Sequence, residues 1–157
     1  MQNAIRRSLS MIVATMVAVI PAGCGSVPDS DASMLEIRAA SVDPMDGWTR
    51  SDAVIGGSPV WVSPDIVVDA SMVLVAEPVR DARGRNAVLI DLDDAGAEAL
   101  RRLTTAWISR PLAVFIDGRI VTTPVLQSTL SRKFVVASDE ITEDEAEDLA
   151  RRLLARD

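Results

Sequence analysis

The groups able to do chemistry in this chain are few. Cys24 is the single cysteine, and histidine and tyrosine are absent. A Ser-His-Asp triad, a Cys-His pair and any His-ligated zinc or haem site are therefore excluded. One cysteine forms no internal disulfide and no cysteine-clustered metal site. Lys133 is the only lysine, and the residue three positions before it is Leu130, so no Ser-x-x-Lys nucleophile exists. Asp91-Leu92-Asp93-Asp94-Ala95-Gly96 has the look of a calcium loop, but its fifth and twelfth positions hold Ala95 and Arg102. An EF-hand needs oxygen ligands there, so the stretch reads as a strand end followed by a helix cap. No cofactor and no metal are expected, and neither is catalysis.

What remains is carboxylate chemistry and surface. The chain carries 23 acids against 16 bases, a net charge of −7. That balance repels phosphate backbones, and the 3% aromatic content gives little for bases to stack on, so nucleic acid is not an expected partner. The acids from Asp139 to Asp148 could meet a basic partner, or be a solvated helix start. Trp61 and Trp107 fall at apolar strand and helix positions and read as core. Trp48, in a loop beside Gly47, is the aromatic placed to contact a partner.

The first 23 residues read as an address. Arg6 and Arg7 precede the apolar run Leu9 to Ile20, which is too short for a finished membrane span of about 20 residues. Ala22-Gly23-Cys24 resembles a bacterial lipobox, with Pro21 standing where an aliphatic residue is usual. The resemblance implies a signal peptide over 1–23, acylation of Cys24, and a membrane-anchored extracytoplasmic lipoprotein of the cell envelope. Cleavage would remove two arginines and no acid, leaving a net charge of −9. Residues 24–33 form a short polar tether, and 34–157 the domain.

The domain's elements follow from periodicity. Leu35 and Ile37 alternate with Glu36 and Arg38 in a strand over 34–40. Residues 41–59 are rich in Asp, Gly, Ser and Pro and read as loop. Strands are expected over 60–62, 71–76 with extension toward Arg80, 87–92, 112–116, 119–123 and 133–137. Asp117-Gly118 marks a tight hairpin, because both turn positions must accept positive φ. One helix runs from Asp93 or Asp94 to about Ser109, with Ala97, Leu100, Leu103 and Trp107 inward. The last helix opens with the capping box Thr142-x-x-Glu145 and carries the stripe Ala146, Leu149, Ala150, Leu153, Leu154. The fold class is α+β: a mostly antiparallel sheet with two amphipathic helices packed on one face.

The order of these motifs resembles one family, the head of the first extracytoplasmic domain of the SecD/SecDF protein-export membrane proteins. Leu35-Glu36-Ile37-Arg38 is similar to the Leu-Glu-Phe-Arg that opens that region. Val60-Trp61-Val62, then Gly84 with Ala87-Val88-Leu89-Ile90, follow the family's order. Ala95-Gly96-Ala97 through Leu103-Thr104 resembles its first helix. Leu112 to Gly118 with Pro124 resembles its hairpin, and Ile141-Thr142, Glu145-Ala146 and Leu149-Ala150 its closing helix. The family's glycines after the hairpin are missing over 126–138, and its transmembrane helices are absent. The resemblance implies a head without the motor: an interaction module binding exported polypeptide, translocation machinery or another envelope partner. A carboxylate-dependent cell-wall hydrolase and a structural envelope lipoprotein without ligand are the alternatives.

Overall fold

The computed structural model describes residues 34–155; the expected signal peptide, Cys24 and the tether lie outside the described residues. The chain opens with β1 (Leu35–Ser41), β2 (Thr49–Ile55), β3 (Ser58–Val62) and the short β4 (Val68–Asp69). A 3₁₀ turn, Ala70–Met72, leads into β5 (Val73–Arg80) and β6 (Asn86–Leu92). Then come α1 (Asp94–Ala106), β7 (Leu112–Ile116), β8 (Arg119–Thr122), β9 (Lys133–Ala137) and α2 (Glu143–Leu154). The class is α+β, with antiparallel strand pairs.

The strands divide between two sheets where the sequence reading expected one. A six-stranded sheet runs β2-β3-β1-β7-β8, with β4 also paired to β1, and a three-stranded sheet runs β5-β6-β9. The division has a local cause. β8 ends at Thr122, yet the chain goes on following the segment that leads into β7: Leu112 N–H donates to Pro124, Leu126 N–H to Arg110 and Ser109 N–H to Leu126. Leu130 N–H then donates to the Thr104 hydroxyl of α1. The chain thus leaves the first sheet before it starts β9.

One apolar core lies between the sheets. Leu35, Ile37, Leu112 and Val114 enter it from the first sheet, and Val73, Val88, Ile90, Leu92 and Val136 from the second. Leu100 of α1 and Ala146, Leu149 and Leu153 of α2 complete it. A smaller cluster, Ala40, Val60, Val62 and Ala113, covers the other side of the six-stranded sheet. Glu36, expected on a polar face, is therefore buried at 5% exposure. It keeps its charge satisfied by Arg38, whose guanidinium lies over Phe115.

Several elements differ from the sequence reading, among them the unexpected β4 and a β3 that starts at Ser58. Residues 49–55, read as loop, form β2, an outer strand with Val54 64% exposed, whose mixed polar composition hides its pairing with β3. Ser71 and Met72 belong to the 3₁₀ turn, where Asp69 accepts from Ser71 N–H at 2.7 Å. The helix expected to reach Ser109 ends at Ala106, and Ser109 itself takes φ 65°, which a helix cannot continue through.

The α1 start is held by the Asp93 carboxylate, which accepts from Gly96 N–H at 2.7 Å. Gly96 is required for contact rather than for its dihedral freedom: a Cβ there would sit 2.8 Å from Met72 Cβ. Gly96→Ala is expected to destabilise the domain by about 1–3 kcal/mol through overpacking, read as a lower urea midpoint with unchanged slope.

Candidate functional site

The site is built on the β7–β8 turn. Asp117 and Gly118 take φ 50° and 73°, the tight hairpin that their types require. The turn aims the Asp117 carboxylate at α2, where it accepts two hydrogen bonds from Arg152, at 2.9 and 3.0 Å. Arg152 Nε also stands 2.8 Å from Asp148. Hydrogen bonding to Asp117 raises the Arg152 pKa further, against the opposing effect of its partial burial.

The α2 helix approaches the hairpin by burying Ala146, Leu149, Ala150 and Leu153 of its stripe; Leu154, expected to be buried with them, stands 48% exposed at the helix end. The capping box is complete: Glu145 N–H donates to the Thr142 hydroxyl, and Thr142 N–H donates to the Glu145 carboxylate at 2.9 Å. The Thr142 backbone bond, then its hydroxyl, hold the Glu145 pKa below its ordinary 4.5. This sign is opposite to the raised carboxyl a glycoside-cleaving general acid needs.

Between the hairpin, β8 and α2 lies a cavity of about 480 Å³. Its apolar lining comes from Ile116, Ile120, Val121, Ile141 and Leu149. Its rim carries five carboxylates, Asp117, Glu140, Asp144, Glu145 and Asp148, against Arg119 and Arg152. A second cavity, of about 300 Å³, lies between β7, the end of β8, residues 124–130 and β9. Its walls are mostly apolar and include Leu112, Val114, Leu126, Leu130, Phe134 and Val135.

Among the described residues, no group of three or more Cys, Asp or Glu side chains could hold a metal ion, and no helix is long and apolar enough to cross a membrane. The arrangement offers apolar contact and negative charge side by side.

Trp48 lies away from both cavities. It is half-buried and stacks on Trp107 with ring centroids 5.8 Å apart. Trp107 in turn donates its indole N–H to Ala40 and Pro111 carbonyls, and Arg110 caps its ring at 4.5 Å. Cys24 is outside the described residues. The residues that shape the first cavity were visible only as types: the acids as a helix start, Arg152 as a helix end. The Asp117–Arg152 pair joins positions 35 apart, which no local spacing signals.

The family model for the SecDF P1 head subdomain matches residues 48–155. A protein translocase subunit SecD from Syntrophobacter fumaroxidans is 33% identical over 63 residues, covering 40% of this chain and 12% of that protein. Its counterpart from Rhodobacter capsulatus is 30% identical over 80 residues, covering 51% and 14%. The chain thus spans a small part of these relatives. A crystal structure of SecDF in a super-membrane-facing form superposes with a TM-score of 0.61 at 20% identity, covering 78% of this chain and 18% of that one. A structure of SecDF described as a membrane component that enhances protein export gives 0.59 at 21%, covering 78% and 62%. At these identities the structures establish the shared fold.

The cap that fixes α2 gives a testable pH dependence. Thr142→Ala is expected to cost about 1 kcal/mol at neutral pH. Because the folded state lowers the Glu145 pKa, its contribution is full above pH 4.5 and is lost as pH falls through the folded value. Urea midpoints of the native chain and Glu145→Gln should therefore differ at pH 7 and converge in acid.

Proposed function

We propose that this chain, which belongs to the SecDF P1 head subdomain family, is a non-catalytic binding module that contacts polypeptide or translocation machinery during protein export. The observation that carries this reading is the family match itself. It runs over 48–155, from β2 through α2, and so includes the whole lining of the first cavity and all of the second except Ile37. The module works on the outer side of a membrane. An acyl group on Cys24 holds it there after removal of residues 1–23, and the polar residues up to 33 reach at most about 30 Å. Trp48 is a second contact residue, at a surface braced by Trp107 rather than at the cavities.

The chemistry of the first cavity agrees with a binding role. Apolar lining and charged rim are what a pocket uses to take a side chain and fix its orientation. In secreting cells, a photo-crosslinking residue at Val121 of the full chain should form adducts with polypeptides caught during export or with translocation subunits. The same probe at Asp52, on the exposed β2, should form far fewer. Adducts with neither class from Val121 would contradict the reading. Mass spectrometry of the mature protein should show an acylated N-terminal Cys24; an unmodified cysteine there would refute the anchor.

A further inference from the structure

We propose that the two cavities form one cleft for an extended segment of another polypeptide. Its main chain pairs with the open edge of β8. Its Lys or Arg side chain lies at the Glu140–Asp144 end, and its apolar side chains lie toward Val135. The inference rests on the polypeptide-binding reading above and names its site and its chemistry.

The edge geometry carries the argument. In a strand, consecutive side chains point to opposite faces, so a cavity lined by three in a row lies along the strand's edge. Arg119, Ile120 and Val121 of β8 all line the first cavity, and Thr122 lines the second. The edge of β8 therefore runs along the first and reaches the second at Thr122. On the far wall, Phe134, Val135 and Val136 of β9 line the second cavity in the same consecutive way. Each strand is the last of its own sheet. A terminal strand presents main-chain N–H and C=O groups that an added strand can pair with. The four residues of β8 are about 13 Å long, enough for a short extended segment.

Charge decides what kind of segment fits. Arg152 pairs with Asp117 and, together with Arg151, with Asp148, and Glu145 is engaged in the cap beside Arg119. Glu140 and Asp144 are exposed and have no ion-pair partner among the described residues. They leave uncompensated negative charge at one end of the cleft. At the other end, Val125 and Val135 are 41% and 46% exposed. A segment with a basic residue followed by apolar ones complements both ends. A second copy of this chain fits poorly, since each copy carries −7 and places Arg119 on the edge in question.

The test uses the full chain and fluorescent synthetic decapeptides read by anisotropy. The first has two lysines followed by apolar residues, the second has glutamates in place of the lysines, and the third is the first with alternate amides N-methylated. An unfolded reduced protein serves as a general polypeptide probe. The lysine peptide should bind, and either change to it should weaken binding by about tenfold or more. Glu140→Gln with Asp144→Asn should weaken it about 3- to 10-fold while lowering the urea midpoint only slightly, through the lost charge in the first turn of α2. Equal binding of all three peptides, or chain dimers that block the lysine peptide, would overturn the cleft assignment. If the unfolded protein binds unaffected by these changes, the cleft is wrong and polypeptide binding stands. If neither it nor any peptide binds, both fall.

Discussion

The structure depends on one constraint: two sheets close on a single apolar core, yet their hydrogen-bonded ladders stop short of each other. The first sheet ends at β8 and the second at β9. Burial of Leu35, Ile37, Leu112 and Val114 against Val73, Val88, Ile90 and Val136 supplies the cohesion. That term is non-directional, so it can hold the sheets together without joining their edges. Beyond β8 the chain follows the segment before β7 as far as Leu126, then bonds to Thr104 of α1 before it returns as β9. An open side is the consequence, and it is where both cavities lie.

The polar contacts around that opening set its shape more than its stability. Asp117 and Arg152 are both partly exposed, and a pair of that kind contributes about 0–1 kcal/mol. Their two parallel hydrogen bonds nonetheless fix the hairpin against α2. The packing of α2 itself comes from Leu149 and Leu153, buried against the main core. Removing the pair should loosen the mouth of the cleft while the apolar lining persists. The same division holds at the Trp48 surface, where Trp107 is locked by two carbonyls and Trp48 is laid upon it.

Most elements were legible because their signals are local. The Asp117-Gly118 turn, the Asp93 cap and the Thr142–Glu145 box each rest on a few adjacent residues, and each formed. What escaped depends on distant partners. The strand β2 has little apolar pattern because few of its residues are buried, so only its pairing with β3 reveals it. Glu36 alternates as a solvent-facing residue would, and only the covering of both faces of β1 buries it. The split into two sheets turns on where residues 123–132 attach, which periodicity does not report. The acids of α2 were read correctly as a helix start, while their place on a cavity rim required knowing what stands opposite them.

The proposed working edge is β8, beside the acid-rimmed first cavity and within the residues the family model matches. Hydrogen exchange on the full chain, with and without saturating unfolded polypeptide, tests this most directly. The account predicts slower exchange of the main-chain amides at 119–122, with smaller effects along 133–137 and none at β2. Protection confined to the Trp48 surface, or unchanged exchange at β8 while polypeptide is demonstrably bound, would contradict it.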